Sequence, residues 1–393
     1  MSKNGVATGI DIGTYHTKVV IAERPDTPRA LPRILGTGYA ETRGMRHGYI
    51  VSPDDVSRSI ELAVAQAEKA AKIKVRRAYV AIGGMSIDEV FSRGETVVTR
   101  GDSVVTERDI AQASAISEAA ISPSQLLNRT IIHSIPLRHF VDGARVLGNS
   151  PSGMSGMKLS VEALSITALT QHLSTLRDAV EEAGIEVEDV VAAPLAASFV
   201  TLSKPQKMAG SVLANIGAET LSIILFEDGK PISMKVFPMG GSDITNDIAL
   251  GLRVPLEEAE QIKLGAVTGA TYPRKKLDDI ISRRLTEMFA LVEGHLRKLG
   301  KNGLLPAGII ITGGSSGLST VSDMAKAALK LPSRVGSLGA DASKMQLKDG
   351  SWAVSYGVTI WGLSQADMGA PSRGMSGFRF IDMAKKWLKP FLP

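Results

Sequence analysis

The sequence predicts an α/β protein of two related domains that face each other. A small α+β module is set into the first, and a detached amphipathic helix closes the chain. Three observations carry this. A strand, glycine turn, strand pattern occupies residues 7–22 and returns at 212–226. Residues 85–162 change character, as an insertion would. Residues 378–393 are basic and amphipathic, and a Gly-, Ser- and Met-rich run sets them apart.

The totals fit this plan. The chain has 393 residues, 44% of them hydrophobic and 22% charged, enough for about two or three domains with sizeable cores. A net charge of +5 suits an anionic partner but does not point to nucleic acid. The absence of cysteine excludes disulfides and thiolate metal sites, and fits a reducing compartment. Met1 to Ala7 lack the apolar segment of a signal peptide. No apolar run reaches the roughly 18 residues of a membrane span.

In order, Ala7–Ile12 and Val19–Ala22 read as strands around a turn at Gly13. Asp11, Thr14, Thr17 and Lys18 crowd that turn. Exposed amides, hydroxyls and a cation suit a polyphosphate, and the acid suits its magnesium. A plain hairpin with a polar tip would look the same. Thr27–Arg33 reads as a loop. Ser52-Pro53-Asp54-Asp55 starts a helix running to about Lys72. The basic stretch from Lys72 to Arg77 reads as a solvated rim. Ala78–Ile82 is a buried strand stopped by Gly83-Gly84. In the insertion, strand-like pieces at Gly94–Arg100, Arg129–Ile135 and His139–Val141 flank a helix starting near Thr106. Gly148 to Gly156 reads as a long turn. Val161–Leu169 resumes strand character, and a helix from Thr170 stops at Gly184.

The second copy then begins. Asn215-Ile216-Gly217 echoes Asp11-Ile12-Gly13, and Leu221–Phe226 completes the hairpin. A cleft between related domains is a usual ligand site. Gly240–Asp247 follows a strand. Leu256–Leu264 and Lys275–Leu299 read as helices, and Gly308–Thr312 as a strand that Gly313–Gly317 turns into a helix, which favours phosphate. Gly313-Gly314-Ser315-Ser316-Gly317 also fits G-x-S-x-G, but a hydrolase needs a histidine downstream and the last is His295. No Walker-type phosphate loop and no G-x-G-x-x-G fingerprint occurs. The six histidines lack metal-ligand spacing.

Residues 365–377 read as a flexible tether reaching roughly 20 Å root-mean-square. Beyond it, Phe380, Ile381, Met383, Ala384, Trp387, Leu388, Phe391 and Leu392 fall within roughly 180° of a helical wheel. Arg379, Lys385, Lys386 and Lys389 against Asp382 leave a polar face of +3. A detached basic amphipathic helix with Trp and Phe on its apolar side suits an anionic membrane. The expected membrane-binding residues are Phe380, Ile381, Lys385, Lys386, Trp387, Leu388, Lys389 and Phe391.

Together these residues resemble the actin-like ATPase superfamily and, within it, the FtsA family of bacterial cell-division proteins. Gly9–Lys18 looks like the first phosphate motif, Asn215–Ser222 stands where the second belongs, and Ile309–Gly317 looks like the adenosine motif. Gly240–Ala249 with Glu260 and Lys263, Ile132–Pro136 with Gly153–Gly156, the place of the inserted module and the amphipathic tail are closer to that family alone. The resemblance covers nearly the whole chain. It implies an actin-like, ribonuclease H-like two-domain fold. The first subdomain would comprise residues 1–84, 163–196 and 331–364, the inserted module 85–162, the second subdomain 197–237 and 303–330, and a helical subdomain 238–302.

The resemblance also implies ATP and Mg2+ in the cleft. Asp11 would hold the metal through water. Thr14, Lys18 and the amides around Gly13 and Gly217 would cradle phosphates, with Asn215, Thr220, Gly240 and Gly241 beside them. Glu260 and Lys263 would meet the nucleoside, and Gly313, Gly314 and Ser315 the α-phosphate and adenosine. It further implies filaments, docking of the C-terminal peptide of the tubulin homologue FtsZ on residues 238–302, contacts of the module with other division proteins, and a place on the cytoplasmic face of the inner membrane at the septum.

Departures from that pattern bear on activity. Asn215 replaces an acid, Ala218 and Glu219 fill glycine positions, Ser222 stands where a second acid is common, and Ala193 replaces another. An amide neither takes up a proton nor balances magnesium as a carboxylate does. Slow or absent hydrolysis is therefore expected. Glu219 is left with two orientations, away from phosphate or against it. Two other readings stand beside this one. A sugar kinase of the superfamily would need an aspartate base in the cleft and has no use for a membrane tail. A pilus-assembly adaptor like PilM shares the module but reaches the membrane through its partner.

Overall fold

The computed structural model describes residues 5–25, 31–99, 101–148, 150–266, 272–338, 347 and 349–365. The expected tether and membrane helix, with Phe380, Ile381, Lys385, Lys386, Trp387, Leu388, Lys389 and Phe391, lie outside the described residues, except that Gln365 ends the last helix.

The first sheet grows from the opening hairpin. Strands β1 (Val6–Ile12) and β2 (His16–Glu23) pair antiparallel, with Asp11 opposite Lys18. β3 (Arg33–Glu41) adds antiparallel to β2. This strand is absent from the sequence reading, because Gly36 and Gly38 interrupt its apolar pattern. Helix α1 (Pro53–Ala71) explains them. A Cβ on Gly38 would lie 1.9 Å from the Ala63 carbonyl oxygen, and one on Gly36 2.5 Å from that of Ala67. The glycines let the helix lie on the sheet backbone. Between β3 and α1, a loop carries the short pair β4 (Met45–Arg46) and β5 (Tyr49–Ile50). Ser52 precedes α1 as expected, but its hydroxyl donates to Asp55 Oδ2 at 2.7 Å instead of accepting an amide. β6 (Arg77–Ile82) lies parallel to β1.

The module follows. β7 (Ile87–Val97), α2 (Glu107–Ala119), β8 (Arg129–Val141), β9 (Ala144–Arg145) and β10 (Lys158–Leu169) form a four-stranded sheet in the order β7-β10-β8-β9, with α2 packed on it. The two pieces expected around Pro136 are one strand. Proline cannot donate to the ladder, and the register shifts beside it, between Glu162 and Ala163. Nor is the 153–156 segment a free turn: Met154 and Gly153 exchange backbone bonds with Val105, and Gly156 donates to Ser103. Thr106 caps α2 in a capping box with Asp109, whose carboxyl accepts from Thr106 and Thr99 and is held down to about 2.

α3 (Thr170–Glu182) leads to β11 (Glu186–Ala192), which completes the first sheet in the order β11-β6-β1-β2-β3. The buried α4 (Ala193–Thr201) and α5 (Lys204–Ala209) cross to the second half. There β12 (Ser211–Ile216), β13 (Leu221–Glu227) and β14 (Lys230–Phe237) form an antiparallel meander. α6 (Gly241–Leu252), α7 (Leu256–Lys263) and α8 (Arg274–Lys298) follow, then β15 (Ile309–Thr312), α9 (Val321–Leu329) and β16 (Ser333–Val335). The second sheet runs β14-β13-β12-β15-β16, again a meander followed by two parallel strands. The two sheets share one topology, so the echo between the hairpins reflects a duplicated architecture.

α10 (Ala353–Gln365) returns to the first sheet and is buried along nearly its whole length. It crosses α4 so closely that a Cβ on Gly357 would sit 1.9 Å from the Ala196 carbonyl oxygen. The first sheet, α1, α4 and α10 enclose one apolar core, and the second sheet with α6, α8 and α9 encloses another. No helix among the described residues is long and apolar enough to cross a membrane.

Candidate nucleotide site

The two glycine hairpins face each other across a cavity of about 340 Å3. Each is a two-residue turn closed by one backbone bond, Gly13 N–H to His16 O at 3.2 Å and Gly217 N–H to Thr220 O at 2.9 Å. The sequence suggests glycine at position 13 for its backbone freedom. In the structure neither Gly13 nor Gly217 has a positive φ. Space is the reason instead: a Cβ on Gly13 would lie 2.9 Å from the His16 carbonyl oxygen. Thr17 does not reach the turn. Its hydroxyl is buried against that of Thr42 at 2.9 Å.

From the first hairpin, Asp11, Gly13, Thr14 and Lys18 line the cavity. From the second come Asn215, Gly217 and Thr220, and from α6 and α7 Gly241, Glu260 and Lys263. Gly313, Gly314 and Ser315, between β15 and α9, complete the wall. Gly240 does not join them. It backs the second hairpin, where a Cβ would meet the Ala218 carbonyl oxygen at 2.4 Å. Ala193 and Ser222 line the cavity too, so the positions where the resemblance leads one to expect acids face it here without charge. A wider hollow of about 780 Å3 continues past Lys263, Gly314 and Ser315 toward Gly336 and Leu338.

Electrostatics distinguish the two walls. The protein packed around Asp11 pushes its carboxyl up to about 6, against the opposing pull of Lys18. Burial lowers Lys18 from lysine's usual value, while Asp11 and Asp349 oppose the shift. Lys18 also lies over the Trp352 ring, 5.9 Å from its centroid. On the other wall, Lys263 is fixed. It pairs with Glu260 at 2.6 Å and donates to Gly241 O at 3.1 Å and to the Thr245 hydroxyl at 2.9 Å. Thr245 in turn donates to Glu260 at 2.5 Å. Glu260 and Lys263 thus hold the start of α6 as well as facing the cavity.

Sequence reasoning misses Asp349. It lines the cavity, acts on Lys18 and His16, and accepts from Ser351 N–H at 2.8 Å ahead of α10. An Asp-Gly pair just before a helix is the available signal, read as a cap. Glu219 is settled differently from either neighbour. It does not line the cavity; its carboxylate accepts the backbone N–H of His47 from the opposite domain.

A polyphosphate with magnesium fits these residues. A Cβ on Gly241 would meet Ser315 Oγ at 2.2 Å, and one on Gly314 would meet nothing, which leaves bare backbone on both sides. Lys18 and Lys263 offer cations. Among the described residues no group of three or more acids or histidines is placed to hold a metal. One carboxylate, Asp11, with a nucleotide's own phosphates is the usual way magnesium is held.

Paired five-stranded sheets of like topology, with glycine hairpins facing a common cleft, define an actin-like α/β protein. Solved structures agree on the fold. A PilM-PilN type IV pilus biogenesis complex superposes with a TM-score of 0.67 at 18% identity, over 91% of this chain and 98% of that one. MreB5 of Spiroplasma citri bound to ADP gives 0.53 at 11%, over 93% and 98%. The profile described as "Cell division protein FtsA" matches residues 212–357, and that of the "SHS2 domain inserted in FTSA" matches 84–167. Cell division protein FtsA of Bacillus subtilis is 31% identical over 86% of this chain and 80% of its own length. That of Pseudomonas aeruginosa is 27% identical over 97% of both. The chain belongs to the FtsA family of cell division proteins.

Proposed function

We propose that this chain is an ATP-binding, filament-forming adaptor that fixes the FtsZ ring to the cytoplasmic face of the inner membrane at the septum. The observation that carries the nucleotide part is the convergence on one cavity: of the residues expected to contact nucleotide, all but Gly240 line it. Asp11 would hold magnesium through water. Thr14, Lys18 and the amides around Gly13 and Gly217 would bind phosphates, with Gly241 close by. Glu260, Lys263, Gly313, Gly314 and Ser315 would take the nucleoside and α-phosphate. Bound magnesium would offset the phosphate charge.

ATP here is a structural ligand that sets the angle between domains. Ala193, Asn215 and Ser222 offer no carboxylate at their places around the cavity to take a proton from water, and Glu260 on the second wall is tied up in its pair with Lys263. Nucleotide-bound structures of a relative in fold, MreB5 of Spiroplasma citri with ADP and with AMPPNP, support nucleotide as the ligand class. FtsZ's C-terminal peptide would dock on the 238–302 region, and the module would meet other division proteins. The subdomains would follow the expected division, except that β10 keeps the module's sheet to Leu169, α4 packs in the first core and β16 joins the second sheet.

The tether is residues 378–393, whose apolar face carries Trp387 and Phe391. Co-sedimentation with anionic vesicles tests it. The full chain should pellet with vesicles and bring FtsZ with it. A chain ending at residue 377 should stay in solution, and Trp387→Glu should weaken binding at least about tenfold. Undiminished pelleting of the truncated chain would overturn the tether.

A further inference from the structure

We propose that Glu219 is a latch that holds the cleft shut and limits nucleotide exchange. The inference rests on reading the cleft as a nucleotide site. Glu219 stands at the tip of the second hairpin, where the side chain has no part in closing its own turn. The Gly217–Thr220 backbone bond does that, and Gly241 and Ser242 N–H groups bind the Gly217 and Ala218 carbonyls at 2.8 and 2.7 Å. The tip is therefore a rigid platform on the second domain. The partners found for the Glu219 carboxylate among the described residues all belong to His47, on the first domain: its backbone N–H, and Nδ1 at 4.0 Å.

The His47 side of the contact is equally fixed. His47 has φ +48, a conformation a residue with a side chain adopts only when its surroundings impose it. They do so here. Gly48 presses on Gly84, where a Cβ would come within 2.3 Å of the Gly84 Cα. Gly44 O accepts from both Val51 and Ser52 at the base of the loop. This aims the His47 amide across the cleft. His47 Nδ1 is buried without a hydrogen-bond partner and faces the same carboxylate oxygen.

The bond thus joins two anchored bodies beside the phosphate half of the cavity, whose lining includes Gly48, Ala218 and Thr220 but neither Glu219 nor His47. A phosphate tail bound there lies between these two walls, and parting the walls to release it breaks this bond. An acid at a turn position therefore serves to close the site without meeting phosphate. A hydrogen bond to a charged group of this kind slows opening roughly ten- to hundredfold.

The test uses the full chain, which has no cysteine of its own. Glu61→Cys and Glu258→Cys place spin labels on exposed sites of the two domains, and pulsed electron resonance reads the distance without nucleotide. The parent should give one narrow distribution, Glu219→Ala a longer and broader one, and Glu219→Gln an intermediate. Release of a fluorescent ATP analogue should quicken about tenfold or more in Glu219→Ala and less in Glu219→Gln. An unchanged distance distribution overturns the latch, whatever the release rates. A widened distribution in chains that bind no analogue supports the latch and removes only the nucleotide reading.

Discussion

Asp11 and Lys18 sit opposite each other on adjacent strands, and the pairing of β1 with β2 makes them neighbours. This was legible in the sequence, because alternation along a hairpin fixes which residues share a face. What could not be read is why the glycines are there. Gly241 faces Ser315 Oγ at a distance no Cβ tolerates, and that contact joins residues far apart in sequence. Gly241→Ala should therefore fold, with stability changed by less than about 1 kcal/mol, since the serine hydroxyl can rotate away. The displaced hydroxyl would enter the cavity, and affinity for Mg-ATP should fall about tenfold, read by calorimetric titration. Glu219 and Asp349 show the same limit: one reaches across the cleft and the other arrives from the start of α10, and neither meeting is marked by local spacing.

At the scale of elements, strands rich in Val and Ile announced themselves and β3 did not. Its glycines serve the helix above it, not the strand. Gly38→Ala should accordingly cost about 3 kcal/mol in urea unfolding, because the obstacle is α1 backbone, which cannot rotate away. β8 was split in the sequence reading by Pro136, which a strand tolerates beside a register shift. The same strand carries His133, buried, with Nε2 accepting Ala192 N–H at 3.1 Å and so joining the module to the first domain. Burial pushes this imidazole down to about 4 from 6.5. As pH falls below 6.5 the unfolded chain takes the proton first, so stability is full above 6.5 and is lost down to about 4. The loss reaches roughly 3 kcal/mol at most. His133→Gln should flatten that part of the pH profile relative to the parent, measured by urea unfolding between pH 7 and 4.

Over the whole molecule, the repeat was the most informative signal. Two short hairpins about 200 residues apart were enough to imply two facing domains, because a glycine turn between β-branched strands is a strong local pattern. The matching sheet orders bear this out. The route between the domains was not legible. α4 and α10 cross at Gly357, and α5 places Lys207 between the Phe199 ring of the first domain and the Phe226 ring of the second, at 5.4 and 5.0 Å. Apolar helices such as α4 and α10 carry no amphipathic period from which a packing partner could be inferred. The fold brings the glycine hairpins into one cleft where the second hairpin presents Asn215 and Ser222, not acids, and Glu260 is paired with Lys263. On the proposed function, holding ATP is there separated from splitting it.

The most direct measurement of that separation is ATP binding and ATP turnover on the same purified full-length protein with magnesium. Saturable binding, weakened strongly by Lys18→Ala, is expected, with turnover at least about a hundredfold below the ~10 s⁻¹ typical of enzymes. Turnover at ordinary enzyme rates, or no binding at all, would contradict a cleft that keeps ATP as a structural ligand.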